Sequence, residues 1–325
     1  MLTLDLSHLK EKKNLLAFSA GVDSSALFFL LIEHHIPFDI ALVNYGTRDN
    51  SVREEAHAKA LAKKYDLNCH TIKAPSFTAH FEQNARKFRY DFFEKLIEEQ
   101  HYDTLLTAHQ LNDQLEWLLM RLTKGAGVSE LLGLEEVSQR EHYTLLRPLL
   151  AYSKEELLAY LQHHKYPYFI DESNSDEKYE RNLFRKQFSD PLMAEYKEGI
   201  KRSFKYLRQD KKQLESNFEC IYAQKELRVI KLHTLTAKVK AADLALKELG
   251  YLLTASQRKE VEKEESLVIG GEWAITLQGD LLYIAPYLTT DMPKKFKETC
   301  RVLKIPSKIR AYCFKEDIDL KKIPL

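Results

Sequence analysis

Short apolar, β-prone runs alternate with segments of helical periodicity along the first half of the chain. Four runs are typical of strands: 14–19, 39–44, 68–74 and 104–108. Between them, four segments predict helices: 23–35, 51–65, 82–101 and 112–124. A further strand at 145–150 and a helix at 153–164 repeat the unit. This alternation predicts an α/β fold with a doubly wound, mostly parallel sheet, whose ligand lies at the carboxyl ends of the strands.

The pattern changes after Pro191, where a long charged helix is predicted over residues 192–222. Helices are also predicted at 241–249, 256–265 and 294–303. Strands at 273–277 and 281–285 predict a hairpin around Gly279 and Asp280. We therefore expect a catalytic-type α/β domain over residues 1–190. A connecting helix and a smaller α+β domain are expected over residues 191–325.

Composition excludes several classes of protein. Hydrophobic residues make up 44% and charged residues 30% of the 325 residues, which is typical of a globular chain and excludes a disordered one. The longest apolar run, 26–32, is far shorter than the roughly 20 residues of a membrane span. Residues 1–14 do not resemble a signal peptide. Four widely spaced cysteines predict free thiols, so we expect a soluble, cytoplasmic protein.

The net charge of +1 conceals an asymmetry between the two halves. Residues 1–190 carry 23 Lys and Arg against 29 Asp and Glu, whereas residues 191–325 carry 26 against 19. The basic second half favours a polyanionic partner that binds mainly there. Surplus lysine on solvated helix faces would produce the same count.

The first predicted strand ends in Ser19-Ala20-Gly21-Val22-Asp23-Ser24-Ser25, where a helix starts. Backbone N–H groups and hydroxyls at a helix N-terminus suit a phosphate. A carboxylate beside a phosphate favours a cation between them, so Asp23 is a candidate Mg²⁺ ligand, with simple helix capping as the alternative. The run lacks the Gly-Lys-Ser/Thr ending of a Walker A loop. We expect a negative φ at Ala20, because a side chain disfavours the left-handed region.

Two further groups of residues lie at the predicted ligand edge. Arg86 and Arg89 share one face of the third helix, which indicates either an anion clamp or an exposed basic face. His109, Asp113 and Glu116 fall at helical spacing after the fourth strand and form a candidate site for a cation or an amine. Carboxylates that complement a helix dipole are the alternative.

A third group begins with an acidic turn at 171–176. Arg181 and Arg185 follow this turn and stand one helical turn apart. They are placed either to bind a phosphate with paired donors or to pair with the acidic turn. The residues alone leave both interpretations open.

Taken in order, these motifs resemble the tRNA(Ile)-lysidine synthetases, which belong to the N-type ATP pyrophosphatases, or PP-loop proteins. The first loop resembles their Ser-Gly-Gly-x-Asp-Ser pattern, with Ala20 at the first glycine. The run 43–48 is similar to Val-Asn-His-Gly-Leu-Arg, and Tyr45 and Thr47 depart from it. The run 108–116 is similar to Ala-His-x-x-Asp-Asp-Gln-x-Glu, with Asn112 at the first Asp. Residues 147–150 and 171–185 match the remaining blocks, so the resemblance covers about residues 14–185.

The resemblance implies a reaction. Such enzymes adenylate the 2-carbonyl oxygen of the wobble cytidine of a tRNA(Ile) with a CAU anticodon, and the ε-amine of free lysine then displaces AMP to form lysidine. By resemblance, the residues that bind ATP are Ser19, Ala20, Gly21, Val22, Asp23, Ser24, Ser25, Val43 and Asn44, with Mg²⁺ at Asp23. The implied catalytic residues are Asp23, Asp113, Glu116 and Arg185. The residues implied to contact tRNA or lysine are Arg86, Arg89, His109, Asp113, Glu116 and Arg181.

Three alternatives stay open at this point. A tRNA thiolation enzyme shares the fold but generally needs paired cysteines, whereas Cys69 is alone in the first predicted domain. NAD and GMP synthetases share the loop but not the later blocks. A non-catalytic tRNA-binding module would explain Ala20, Tyr45 and Asn112. We expect tRNA and free lysine as partners and no membrane, with a homodimer as the candidate assembly.

Overall fold

The structure is a computed structural model that describes residues 2, 4–46, 50–77, 81–170 and 180–324, with only the backbone of Asn50. The chain divides into two compact units, Met1–Leu207 and Arg208–Leu325. This division lies inside a long helix, between residues 207 and 208. The sequence analysis places the end of the first domain earlier, at residue 190. Among the described residues, no helix is long and apolar enough to cross a membrane.

The first unit alternates strands and helices. Its strands are β1 (Asn14–Ala17), β2 (Phe38–Asn44), β3 (Cys69–Lys73), β4 (Thr104–Leu106), β5 (Val137–Gln139) and β6 (Thr144–Leu146). Its helices are α1 (Val22–Glu33), α2 (Asn50–Lys64), α3 (Phe81–Gln100), α4 (Leu111–Leu122), α5 (Val128–Leu131), α6 (Lys154–His164) and α7 (Glu180–Phe184). A π-helical turn, Arg185–Ser189, leads into α8 (Asp190–Glu215).

The six strands form one sheet in the order β3-β2-β1-β4-β6-β5, and only the β5–β6 pair is antiparallel. The predicted α/β, mostly parallel sheet is therefore confirmed. From β1 the strand order runs outward in both directions, so the loop after β1 lies at a topological switch point, where such sheets bind ligands. The sequence did not predict β5, because three largely exposed residues at a sheet edge leave no periodic signal.

Side-chain alternation along β1 explains why helices cover both faces of this sheet. Leu16 packs with the apolar residues of α1, and its neighbour Leu15 packs with Phe93 and Ile97 of α3. Both leucines are fully buried, and each such burial contributes about 1.5–3 kcal/mol. α1 is apolar almost all round because it packs against the sheet and also against α6.

The second unit is built on an antiparallel sheet. Its strands are β7 (Phe218–Gln224), β8 (Leu227–Leu232), β9 (Ser266–Ile269), β10 (Trp273–Gln278) and β11 (Leu281–Pro286), in the order β7-β8-β11-β10-β9. Its helices are α9 (Lys238–Glu248), α10 (Ala255–Lys263), α11 (Lys294–Val302) and α12 (Ser307–Lys315). Leu282 and Ile284 pack with residues of α9 and α10, whereas Tyr283 and Ala285 pack with residues of α11 and α12. The smaller domain is therefore three-layered, and the predicted hairpin is confirmed as β10 and β11.

The predicted connecting helix is wrong at its end. It stops at Glu215, and residues 218–222 belong to β7, which pairs with β8 through Phe218 and Leu232. β7 is an edge strand that exposes Glu219, Cys220 and Ile221. Residues 200–217, which precede this partly polar strand, contain no glycine or proline, so the sequence does not mark the boundary.

A pair of glycine substitutions tests the packing of the first unit. A Cβ at Gly133 would lie 2.5 Å from the Trp117 indole, which donates to the carbonyl of Glu130 at 2.8 Å. We expect Gly133→Ala to destabilise the unit by about 1–3 kcal/mol. At Gly199 in α8 a Cβ meets nothing within 4 Å, so Gly199→Ala should stabilise it by about 1 kcal/mol. Urea denaturation measures both, and equal effects of the same sign would contradict this packing.

Candidate active site

The turn after β1 places the start of α1 at the carboxyl edge of the sheet. Gly21 is the N-cap, and no side chain caps the helix, so its first N–H groups are available to a ligand. Ser24 Oγ accepts from the backbone N–H of Ser19 at 3.2 Å and lies 3.0 Å from Ser19 Oγ. Ser25 donates to the carbonyl of Ala20 at 3.2 Å. The hydroxyls thus hold the turn in a closed shape around the helix end.

Ala20 adopts the left-handed conformation, with φ of 60°. The expected negative φ is therefore wrong, because neighbouring contacts impose the turn. The Ala20 carbonyl accepts from the backbone N–H of Phe169 at 2.8 Å as well as from Ser25, and its side chain is fully buried. A non-glycine residue in this region costs about 1–2 kcal/mol, which the surrounding bonds offset.

Asp23 is a largely buried carboxylate beside the helix end, and it is not the N-cap. Its Oδ1 atom is buried and has no hydrogen-bond partner in the described part of the chain. Burial, with a further contribution from the charge of Asp113, raises the pKa of Asp23 to about 7. An acceptor in this state fits a cation. No group of three or more His, Cys, Asp or Glu side chains is arranged for a metal among the described residues, so any ion here takes its other ligands from substrate and water.

α4 begins at Leu111, after β4, and Gln110 is its N-cap. The side chain of Asp113 accepts from the backbone N–H of Gln110 at 3.0 Å and completes a capping box. His109 therefore precedes the helix, and its predicted helical spacing with Asp113 and Glu116 is wrong. Its Nδ1 lies 3.0 Å from Thr107 Oγ1. Burial, with the charges of four arginines, lowers the pKa of His109 well below its usual value, so the imidazole is neutral at pH 7.

Two arginines bind the carboxylates of α4. Arg181 Nε donates to Glu116 Oε2 at 2.8 Å, and its Nη2 donates to Asp113 Oδ1. Arg185 donates from Nε to Glu116 Oε1 at 2.6 Å and from Nη2 to Oε2 at 3.1 Å. Burial acts to lower the pKa of Arg181, but the charges of Asp113 and Glu116 outweigh it and raise that pKa. The acidic turn at 171–176, which the sequence offers as the alternative partner, lies outside the described residues, as do Thr47 and Arg48.

Two adjacent cavities of about 260 Å³ and 490 Å³ form the cleft. Both are lined by Ser19, Asp23, Ser24, Val43, Tyr45 and Arg89. The smaller one also contacts Arg86, His109, Asp113 and Arg181, and the larger one also contacts Gly21, Val22 and Asn44. Ala20, Ser25, Glu116 and Arg185 line neither cavity. Ala20 and Ser25 are fully buried, and the other two are bonded to each other.

The structure adds residues that the sequence analysis did not select. The larger cavity is also lined by Lys154, the first residue of α6, and by Phe169, whose N–H binds the loop. Tyr90 lines the smaller cavity, and the Arg86 guanidinium lies 4.9 Å from its ring centroid. Lys154 could have been selected from the sequence, because it starts the helix that follows a strand of the parallel sheet. Phe169 could not have been selected, because it lies in an irregular segment that returns to the cleft.

Comparisons with known proteins agree with this geometry. A family model described as a PP-loop domain matches residues 2–192. The tRNA(Ile)-lysidine synthase of Campylobacter jejuni (strain RM1221) is 47% identical over 98% of this chain and 97% of its own length. That of Helicobacter pylori (strain ATCC 700392 / 26695) is 42% identical over 96% of this chain and 92% of its own. A solved U34-tRNA thiolase, NcsA from Methanococcus maripaludis, has a TM-score of 0.53 at 18% identity, covering 66% of this chain and 75% of its own, which shows a shared fold.

Substitutions at Ala20 test the left-handed turn. Glycine removes the conformational strain but also loses a buried methyl group, which contributes about 0.8 kcal/mol of stability. It also raises the conformational entropy of the unfolded chain, which lowers stability by about 0.4–1 kcal/mol. We therefore expect Ala20→Gly to change the free energy of unfolding by less than about 1 kcal/mol. Ala20→Val places a β-branched side chain at positive φ and should cost more than about 2 kcal/mol. Chemical denaturation measures both. If valine is tolerated as well as glycine, the turn is not left-handed.

Proposed function

The chain belongs to the tRNA(Ile)-lysidine synthase family, and from this membership we propose how it acts on a tRNA(Ile) with a CAU anticodon. It forms lysidine on tRNA(Ile) and uses ATP at its PP-loop domain. In the proposed reaction, ATP adenylates the wobble cytidine and free lysine then replaces AMP at the 2-carbon. The observation that carries the proposal is the identity to curated synthases over nearly the whole chain, 47% over 98%.

We propose that the loop after β1 binds the phosphates of ATP. The uncapped N–H groups at the start of α1 and the hydroxyls of Ser19 and Ser24 are its donors. Val43 and Asn44 line the same cavity and would contact the nucleoside. Mg²⁺ fits at Asp23, because the buried Oδ1 lacks a partner among the described residues. When bound there, the ion would neutralise charge that develops on the phosphates.

Adenylation converts a poor leaving group into a good one. The cytidine 2-oxygen attacks the α-phosphorus, the bond to the β-phosphate oxygen breaks, and pyrophosphate leaves with the electron pair. The charges of Arg86 and Arg89, which act on the neutral His109, would favour this accumulation of negative charge in the smaller cavity. Arg86 and Arg89 both line that cavity and would contact tRNA phosphate or nucleotide there. Arg185 lines neither cavity, so it would support the leaving pyrophosphate only through its charge, which reaches Asp23.

We propose that free lysine binds at Asp113 and Glu116. A carboxylate partner is needed because, with a pKa of about 10.4, the ammonium must lose a proton before it attacks. Asp113 lines the cleft and would contact the ammonium directly, whereas Glu116 lies behind it with a side chain only 1% exposed. Arg181 binds both carboxylates, so lysine would displace its contact with Asp113.

The second unit is proposed to bind the body of the tRNA. Lys294, Lys295 and Lys297 of α11 are exposed and have no carboxylate partner among the described residues, while Phe296 packs inward. Ammonium groups free of ion pairs are suited to phosphate contacts that position an RNA.

Sulfur transfer gains no support from the cysteines. Cys69 begins β3, at the edge of the sheet opposite the loop, and burial raises the pKa of its thiol. A cytoplasmic location is proposed because all four cysteines are free thiols, as in a reducing compartment. A homodimer stays a prediction.

The reaction products test the proposal directly. With ATP, lysine and a tRNA(Ile) transcript carrying a CAU anticodon, we expect AMP and pyrophosphate, and a transcript with uridine at the wobble position should yield neither. Asp23→Asn should lower the rate by about 100-fold or more while tRNA affinity stays within about twofold. ADP as product would refute the chemistry. A wild-type rate in the variant would show that Asp23 is not a metal ligand.

The two carboxylates of α4 should differ in their effects. Asp113→Asn should raise the KM for lysine by about tenfold or more and leave the KM for ATP within about twofold, because it removes a direct contact. Glu116→Gln should raise both, because Arg185 loses its partner. Glu155→Gln, which alters an exposed ion pair with Lys197, is the control. Initial rates at varied lysine and ATP measure this, and an unchanged lysine KM in Asp113→Asn would place lysine elsewhere.

Charge reversal tests the role of α11. Changing Lys294, Lys295 and Lys297 to Glu should weaken tRNA binding and reduce the slope of log K against log salt by about 0.7–0.9 per lost phosphate contact. The modified base should not change, since phosphate contacts position and base contacts specify. The control reverses the exposed lysines 247, 259 and 263 on α9 and α10, in the opposite helix layer. Equal slopes for the two triple variants would show that α11 does not contact the phosphates of the tRNA.

A further inference from the structure

Lys154 is a cation that lines the larger cavity but lies outside the loop after β1. It is the first residue of α6, and it lines the cavity together with Ser19, Gly21 and Asp23. The cavity therefore contains the phosphate-type loop and a lysine from a distant part of the chain. A Walker A loop supplies such a lysine from within its own sequence, and this loop has none.

The backbone at Lys154 is fixed at this edge of the sheet. Its N–H donates to Asn112 Oδ1 at 3.2 Å, which ties the start of α6 to the start of α4. Ser153 and Glu156 form a capping box, with bonds of 3.2 Å and 2.8 Å. Asn112 thus has a structural role that an amide performs well. The backbone of Lys154 is held in place, while the residue as a whole is exposed and lines the larger cavity.

The ammonium of Lys154 is electrostatically available. It has no ion-pair partner in the described part of the chain, unlike Lys197 and Lys201, which pair with Glu155 and Glu156 near the same helix end. Its charge reaches the site, since it acts to lower the pKa of Asp23 against the effect of burial. Among the described residues that line this cavity, Arg89 is the other cation and also lines the smaller cavity, whereas Lys154 lines the larger one alone.

We propose that Lys154 binds the β- and γ-phosphates of ATP and keeps its contact with pyrophosphate as it leaves. The inference rests on the proposed ATP site and assigns a residue to its terminal phosphates. A lysine acts there as a compact point charge, and no proton is transferred in the step. The electron pair of the broken bond goes to the pyrophosphate oxygen, next to the ammonium.

Nucleotides that differ in their terminal phosphates provide the test. Affinities for ATP, AMP and pyrophosphate would be measured by calorimetry with Mg²⁺ for the wild type, Lys154→Met and Lys154→Arg, with Lys95→Met as the control. Lys95 lies on α3 and is exposed, with a side chain that pairs with Glu99. We expect Lys154→Met to weaken ATP and pyrophosphate binding by about 10- to 100-fold, as for loss of a charged hydrogen bond, and to leave AMP binding within about twofold. Arginine should restore most of the affinity.

The outcomes separate this inference from the proposed function. If the wild type binds ATP and Lys154→Met binds it equally well, Lys154 does not contact the phosphates, and the ATP site stands. Equal losses for ATP and AMP would also overturn the inference, because they indicate a general change in the cleft. A wild type that binds no ATP would overturn the proposed function and the inference together. Unchanged thermal unfolding of Lys154→Met and recovery in Lys154→Arg would show that the loss reflects the missing charge.

Discussion

The ion-pair network around Glu116 is the constraint on which the cleft depends. This carboxylate is almost completely buried, and each of its oxygens accepts from a guanidinium of Arg181 or Arg185. A buried charge is tolerated only when it is paired, and removing one partner of such a pair typically costs about 3–5 kcal/mol. The network joins α4, which follows the central strand β4, to α7 and the π-helical turn, which are far along the chain. It therefore fixes the side of the cleft that faces the loop after β1.

The same network determines which charges are left for substrates. Arg181 and Arg185 are balanced by Asp113 and Glu116, whereas Arg86 and Arg89 have no carboxylate partner among the described residues. α3 thus adds two unpaired positive charges to the cleft, although the first half of the sequence is acidic overall. Net charge counted along the chain says little about a site, because pairing removes some charges and burial strengthens others. The unpaired arginines are therefore the residues of the cleft that we propose to contact an anionic nucleotide or RNA phosphate.

The parts of the fold that are predictable from sequence are those with a regular period. The parallel sheet, its helices and the β10–β11 hairpin have clear repeats of apolar residues, and the motifs marked the loop and α4 correctly as neighbours at one sheet edge. Strands β5, β7, β8 and β9 were missed. β5, β7 and β9 are edge strands, and β5 and β7 bury too few residues to show alternation, whereas β8 is an inner, largely buried strand that the sequence analysis did not select. The φ of Ala20 was unpredictable, since distant bonds from Phe169 impose it. The pairing of Arg181 with Glu116 depends on a contact across 65 residues, which spacing cannot reveal.

The π-helical turn at Arg185–Ser189 lies between two segments whose side chains contact different parts of the first unit. Before it, Arg181 must reach the carboxylates of α4. After it, and before the kink of α8 at Tyr196, Met193 must reach the apolar cluster of Leu111 and Leu115. In a continuous α-helix both sets would share one rotational phase, because each residue advances the helix by about 100°. A π turn is equivalent to one inserted residue, and it shifts that phase locally. The ion pairs and the core packing on the two sides of the turn can therefore each take their own orientation.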